Sequence, residues 1–590
     1  MQTSPGSIIE GFWLPRNLRE KLLTPDTEFV ACSFAGGRLC EPQVDGAITV
    51  RWPRMTEAQW KILLTSLEEN RQQAPLGLEF WDRLQAALKE AGRRLAEPAD
   101  SLRDLALRAL PGYTGYSEPM VRLTVGALDM FSLEQFPLAF SLSPDTNAAK
   151  NWQAMNGLQG MLRFFPLRRK RAGAIRRLPQ WQMAPSITRR PLFRQVIPTD
   201  VVLGYAAGNI PGAALLIAFL AQSITLAGGR VPAVIVKNSR SEPIFSPLVF
   251  NALEAIDPEL VSTVAMLVWD YEDAYVQSFL TNHADLVIAA ASDETIVQIK
   301  AQIEASKAAQ VRPRSRPVRF HAHGHKVSFS AIGKEMLSVY AGSPEKPKYA
   351  GGLVGLEQGQ FMLDIVALLA ALDSIFWDQH GCLSSRVHFV ENGGEGYHTP
   401  LEYAVKLQDK LRWLAGLLPR GAWPLQQLHD RFDRYKQLEM RGNIQVISQY
   451  DDESLVILDQ RRLRSSAFRD LVNDCQGRVI VVRPVAELME VPNQYLKMLP
   501  SENLQLMSVA VGKPEEGLTN SILRFAEACG ACGITAIRTV GRGAFPQLAY
   551  SWDGYLPLDL LRQRPAGHIT TIEFNHPYEQ ILETIRILPV

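Results

Sequence analysis

The chain has 590 residues, 46% hydrophobic and 21% charged, with a net charge of +1. This composition suits a globular protein of about three or four domains, and near-neutrality excludes a global pull toward nucleic acid or an anionic membrane. Six cysteines are too few for a disulfide scaffold of this length, so a reducing, cytoplasmic setting is expected. The opening MQTSPGSIIEGFWLP lacks a basic-then-apolar pattern, and no secretory leader is expected.

Residues 1–75 are mixed, with Pro and Gly punctuation and short strand-like runs such as 47–52. Residues 76–159 read as largely helical: Leu78, Phe80, Leu84 and Leu88 recur at spacings near four. A turn-rich stretch over 110–121 interrupts them. Residues 164–177 set six basic side chains (Arg168, Arg169, Lys170, Arg171, Arg176 and Arg177) behind an aromatic pair. The run reads as a solvated loop, or as a docking patch for the phosphates of a nucleotide or coenzyme A, or for an acidic partner.

From Thr199 strands and helices alternate. Strands are expected over 201–207, 231–237, 264–269 and 286–290, and helices over 212–227, 243–256, 271–282 and 293–308, the last capped by Ser292. Continuous apolar strands separated by helices of this length indicate a parallel sheet covered on both faces. Such sheets bind ligands beyond the carboxyl ends of their strands. Those ends are Gly208-Asn209, residues 237–240 and Ala291-Ser292. No GxGxxG follows the first strand, although helix N-termini can still receive a pyrophosphate. Residues 201–229 are uncharged, but Gly204, Gly208, Asn209, Pro211 and Gly212 divide them into strand, turn and helix. A membrane span is therefore not expected.

His321, His323 and His325 alternate, so in a strand they would share one face and could bind zinc. Gly324 and the lack of an adjacent Asp, Glu or Cys argue against it, and no metal is expected. Cys529 and Cys532 have no second cysteine pair and read as helix-end packing. An apolar helical run from Phe361 to Phe376 ends in Asp378, Gln379 and His380, followed by Gly381, Cys382 and a short strand over 386–390. Gly381 leaves room for a ligand near the sulfur, and His380 and His388 could favour thiolate. Locally, Cys382 reads either as a nucleophile or as a small apolar core residue. Further on, helices are expected over 401–418, 425–440 and 521–528, and strands over 455–458, 478–482, 504–511 and 535–540. A late strand over 569–574 is of the kind that extends a neighbouring subunit's sheet.

The segments TGYSEPMV (114–121), AGNIPG (207–212), VKNS (236–239), AHGHK (322–326), QHGCLSSR (379–386) and GITAIRTVGRGAFPQLAYSWDG (533–554) occur in that order. Together they resemble the aldehyde dehydrogenase superfamily and, within it, the long-chain acyl-CoA reductases of bacterial bioluminescence (LuxC-type), over residues 113–561. The superfamily's Glu–Phe–Gly–Pro segment is not visible; the nearest run is VRPVAEL (482–488), and that contact stays unassigned.

The resemblance implies an α/β, aldehyde-dehydrogenase-like fold. A mixed and helical N-terminal extension (1–110) would precede a Rossmann-like cofactor-binding domain (111–350) and an α/β catalytic cysteine domain (351–545). Residues 546–590 would return to the core or to an oligomer interface. It also implies NADPH-dependent reduction of a fatty acyl-CoA, or another acyl thioester, to an aldehyde through an acyl-cysteine. Cys382 would attack, with the Asn209 amide and the Cys382 backbone N–H on the oxyanion. Gly208, Lys237, Ser239 and Ser292 would bind the cofactor, Lys237 at the adenosine ribose and Ser292 at the pyrophosphate.

Arg240 stands three residues after Lys237, where NAD-preferring members carry an acidic residue, and so implies NADPH. Ala322 stands where the superfamily's water-activating glutamate would be, so the thioester is expected to persist. His325, beside the matched Lys326, is the expected base for the thiol, with His321 and His323 as alternatives. Two other readings stay open: CoA-acylating aldehyde oxidation, and a non-redox acyl-transfer or acyl-binding subunit. A homo-oligomer is expected, with an acyl-activating protein as a possible partner and no nucleic acid or membrane span.

Overall fold

A computed structural model describes residues 8–126, 128, 152–155, 160–166, 197–227, 229–308, 318–339, 361–512, 518–543, 551–561 and 567–574. The basic side chains of 168–177 lie outside these residues.

The N-terminal part pairs β1 (Ile9–Glu10), β2 (Phe29–Ala35), β3 (Arg38–Cys40) and β4 (Ile48–Pro53) in the order β1-β4-β2-β3. Helices Glu57–Gln73 and Gly77–Ala96 follow, the first opened by a capping box at Thr56 and Gln59. Helix Ser101–Thr114 runs through Pro111 and stops at Gly115, whose φ of 82° suits glycine. The next helix, Glu118–Gly126, begins at once, so the turn expected over 110–121 shrinks to a few residues. Two short strands, β5 (Gln153–Ala154) and β6 (Met161–Pro166), come next.

The alternating region forms a parallel sheet: β7 (Val201–Tyr205), β8 (Ala233–Lys237), β9 (Val264–Leu267), β10 (Leu286–Ala290) and β11 (Arg319–His323), in the order β11-β10-β7-β8-β9. β7 to β10 are almost wholly apolar and buried, as strands of a covered parallel sheet are, whereas the edge strand β11 reads RFHAH and is half-buried. The chain runs outward from β7 to β9, then returns to β10 on the other side of β7. The crevice beyond the ends of β7 and β10 is therefore the topological switch point of this sheet. It is flanked by Gly208-Asn209 and Ala291-Ser292.

The second sheet holds β12 (Val327–Ile332), β13 (Ser385–Glu391), β14 (Ile444–Val446), β15 (Leu455–Asp459), β16 (Val479–Val485), β17 (Leu504–Ala510), β18 (Ala536–Thr539) and β19 (Gly567–Glu573), together with β5 and β6. Its order is β14-β15-β16-β13-β12-β17-β18-β19-β6-β5. Alternate residues enter opposite cores: Leu455 and Ile457 face one, Val456 and Leu458 the other. The change of sheet falls between His323 and Val327, ahead of residue 350 where the sequence reading divides the two domains. β19 is interior: it pairs parallel with β18 and antiparallel with β6. Both its edges are occupied within the chain, so this late strand is not free to extend a neighbour's sheet. No helix among the described residues is long and apolar enough to cross a membrane.

Candidate active site

The candidate nucleophile sits where the two sheets meet. Helix Phe361–Ile375 delivers the chain to a tight loop, and β13 carries it away. The loop is pinned to both sides. Ser328 Oγ, at the start of β12, donates to the Cys382 carbonyl at 2.7 Å. The Asn209 side-chain amide, beyond the end of β7, donates to the His380 carbonyl at 2.8 Å. Asn209 and Cys382, far apart in sequence, are thus joined through one loop.

Cys382 keeps part of its surface open, yet the protein around its sulfur pushes the thiol up to about 11. Burial is the main cause, and the negative charge of Asp553 adds to it; a Gln505 hydrogen bond and the Lys326 charge act the other way. The resting group is therefore a thiol. The expected help from histidine is not there. His388 is fully buried between Ser374 Oγ (2.9 Å) and Tyr403 OH (3.0 Å), and burial drives its imidazole down to about 3. Burial also lowers His380, whose ring packs on Trp423 at 4.7 Å. Rings held neutral lend no positive charge that would favour thiolate at rest.

Gln505 and Asp553 escaped the sequence reading. Gln505 Nε2 donates to Asp553 Oδ1 at 2.7 Å, and Asp553 Oδ2 bonds His323 Nδ1 at 2.8 Å. Gln505 is, with Ser508, one of two polar residues in the largely apolar β17, which was its one sequence signal; Asp553 lies in the SWDG of 551–554. His325 follows the end of β11 and is exposed. Its N–H donates to Asp293 Oδ1 at 2.8 Å, and its carbonyl accepts from Asn503 at 2.7 Å. Among the described residues no group of histidine, cysteine and carboxylate side chains could hold a metal.

The cofactor-side residues gather at the ends of β7 and β8. A Cβ on Gly208 would stand 2.8 Å from Ser239 Cβ, so only glycine lets these two turns touch. Buried Glu242 accepts the N–H of Gly212 (3.2 Å), Ile244 (3.0 Å) and Phe245 (2.8 Å), fixing both turns together. Burial lifts that carboxyl to about 7.

Lys237 is buried, with its ammonium 3.9 Å from the Tyr271 ring centroid and 5.7 Å from that of Trp269. Burial and the Arg240 charge lower it to about 8. Among the described residues no oxygen accepts a hydrogen bond from it. Arg240 pairs with Asp270, and its guanidinium lies over Trp52 at 5.9 Å. Ser292 Oγ caps helix Asp293–Ala308 by accepting the Thr295 N–H at 3.3 Å.

Fold and site together define an aldehyde-dehydrogenase-like enzyme with a cysteine at the junction of two sheets. Solved structures of that superfamily share the fold at low identity. One is a Delta-pyrroline-5-carboxylate dehydrogenase from Mycobacterium tuberculosis bound with NAD and cobalamin: TM-score 0.52, 13% identity, covering 93% of this chain and 87% of that one. Another is aldehyde dehydrogenase 21 from Physcomitrella patens in complex with succinate: TM-score 0.50, 10% identity, covering 92% and 98%. No curated protein matches by sequence. A family model, acyl-CoA reductase (LuxC), matches residues 180–564, and the chain belongs to that family. It is an aldehyde-forming oxidoreductase that reduces a fatty acyl-CoA to the aldehyde.

Proposed function

We propose that the acyl group is carried on Cys382 and that NADPH is the reductant. The observation that carries this reading is the Asn209–His380 bond, which brings an amide donor to the cysteine loop. The thiol gives up its proton, sulfur attacks the thioester carbonyl, and the bond to coenzyme A breaks, coenzyme A leaving as the thiol. The Asn209 amide has a second N–H beyond the one spent on His380, and with the Cys382 backbone N–H it stabilises the negative oxygen. For the proton, support moves from His325 to His323. Asp553, which acts on the thiol, holds His323 by Nδ1 and leaves Nε2 as the acceptor.

The residues at the sheet ends suit a nicotinamide dinucleotide. The buried Lys237 ammonium faces the Tyr271 and Trp269 rings and, with no oxygen acceptor among the described residues, keeps its donors for ribose hydroxyls. Gly208 and Ser239 form the tight turn beside it, and Ser292 opens a helix N-terminus for the pyrophosphate. The bound cofactor supplies the hydride that converts the acyl-cysteine to aldehyde. Arg240 is the candidate partner for a 2′-phosphate. Its pairing with Asp270 supports a second reading, NADH, because a carboxylate there can accept both ribose hydroxyls.

Ala322 lies on β11 where the superfamily's water-activating glutamate is expected, and alanine cannot take a proton. Mixing the enzyme with acyl-CoA and no nicotinamide should give an acyl adduct on Cys382 by intact mass. That adduct should outlive many turnover times and leave as aldehyde when NADPH is added. Rapid release of free fatty acid in plain buffer would sink the reading.

A further inference from the structure

Just before Cys382 the backbone makes a turn of left-handed helix out of residues that carry side chains. Trp377 (φ 55°), Asp378 (φ 48°) and Gln379 (φ 64°) are consecutive, and none is glycine. L-residues enter this region at a cost and usually singly, so such a run persists only where its surroundings over-determine it.

The surroundings here do so. Asp378 is fully buried; one oxygen accepts from Arg478 Nε at 2.7 Å and the other from the Gly421 N–H at 3.1 Å. Arg478 is equally buried and itself left-handed, with φ 69°, and also donates to the Leu418 carbonyl at 2.8 Å. Gln379 fixes the exit: its Oε1 accepts from the Val479 N–H at 2.9 Å and its Nε2 donates to the Ser385 carbonyl at 3.0 Å. Gly421 has to be glycine, since a Cβ there would stand 2.8 Å from Asp378 Oδ2.

The same knot gathers distant parts of the chain. The Gly115 carbonyl accepts the Ala422 N–H at 2.7 Å. Tyr116 meets Trp377 edge-on at 5.4 Å, and its hydroxyl donates to the Asn209 carbonyl. Asn209 in turn holds His380. An N-terminal helix end, the cofactor-side turn and the cysteine loop therefore converge on one buried ion pair. A buried pair is by itself weak evidence for stability. This one is attached to the most unusual backbone among the described residues, next to the reacting sulfur.

Resting on the reading of Cys382 as nucleophile, we propose that Asp378, clamped by Arg478, is a positioning residue that holds the left-handed turn and so aims Cys382 at the thioester carbonyl beside Asn209.

The test uses the full-length protein and three variants. Asp378→Asn removes the charge but keeps a residue that tolerates left-handed backbone. Arg478→Lys keeps the charge but loses the fork. Asp364→Asn is the control: Asp364 is as buried, is ion-paired with Lys410 at 2.7 Å, and has no contact to the loop in its pairing. Single-turnover acylation by acyl-CoA without nicotinamide is followed by intact mass, together with KM for acyl-CoA and iodoacetamide alkylation mapped to Cys382. All are run below each variant's melting temperature.

Asp378→Asn should slow acylation by about 10²-fold, the scale of a misplacement near one ångström. KM should stay within about threefold, because binding is not what is lost. Cys382 should alkylate faster as it leaves its enclosed position. Arg478→Lys should fall between wild type and Asp378→Asn, and Asp364→Asn should acylate like wild type. Wild-type acylation by Asp378→Asn, or an equal loss in Asp364→Asn, would overturn the proposal. Should Asp378→Asn not fold, Arg478→Lys against Asp364→Asn decides on the same terms. If the nucleophile reading itself fails, wild type forms no adduct on Cys382, yet alkylation at Cys382 still reports the loop's position.

Discussion

Cys382 rests as a thiol because burial outweighs the single favourable cation, Lys326, and Asp553 opposes that cation. Its thiolate fraction grows about tenfold per pH unit until the pH nears about 11. Iodoacetamide alkylation of Cys382 should therefore keep accelerating from pH 7 to 10 without a plateau. Asp553→Asn removes a charge that raises the thiol, so its profile should shift to lower pH by up to about one unit. A wild-type plateau near pH 7 would mean that a histidine draws off the proton at rest. Asn209 makes a second case. Removing one oxyanion donor costs about 2.7–4 kcal/mol, so Asn209→Ala should lower turnover by about two to three orders of magnitude with KM little changed. Turnover near wild type would leave Asn209 only the task of holding the His380 carbonyl.

At the scale of elements, neighbouring parallel strands end side by side, and their ends carry the residues proposed to bind the cofactor. β8 ends at Lys237 and β9 at Leu267, so Arg240 and Asp270 emerge together and pair. A 2′-phosphate has to displace Asp270 from Arg240, whereas bare ribose hydroxyls do not. Asp270→Asn should lower KM for NADPH several-fold, about the worth of one charge-assisted hydrogen bond, and raise it for NADH, whose ribose hydroxyls lose a carboxylate acceptor. Arg240→Glu should do the opposite. Steady-state kinetics with both cofactors checks each, and an unchanged NADPH/NADH ratio in both variants would take the pair out of cofactor selection. The sequence made β7 to β10 legible because parallel strands buried on both faces read as unbroken apolar runs, but not the edge strand β11, whose RFHAH carries no such run. It placed Lys237, Ser239 and Arg240 at one strand end. Asp270 was hidden, since nothing local says which neighbouring strand ends opposite Arg240. The loop before Cys382 was hidden for another reason: Trp377 and Asp378 carry no mark of left-handed backbone, which only their distant partners impose.

For the whole molecule, the N-terminal residues that had no legible task pack into the half built on the five-stranded sheet. Trp13 exchanges two 2.8 Å backbone hydrogen bonds with Met266, covering the open edge of β9. Its ring lies 5.0 Å from Phe250, and Trp60 meets Trp269 edge-on at 5.5 Å. Arg83 forks onto Asp257 at 2.7–2.9 Å. One continuous core joins Phe12, Trp13, Leu14, Trp60 and Trp81 to the five-stranded sheet. Their partners are non-local, so the mixed pattern of residues 1–75 could not reveal them. Burying a large apolar side chain contributes about 1.5–3 kcal/mol each. Losing the five named here is already comparable with the net stability of a domain, about 5–15 kcal/mol. Removing residues 1–126 should therefore do more than trim an appendage. It should uncover the β9 edge and the apolar face beneath it, giving a chain that aggregates and shows no cooperative melting. Trp13→Ala in the full chain, by the size of its cavity alone, should cost about 3–5 kcal/mol and lower the melting temperature by several degrees. Calorimetry of the point variant and soluble yield of the truncation check both. A truncated chain that melts cooperatively at the wild-type temperature would show that this half folds without its N-terminal cover.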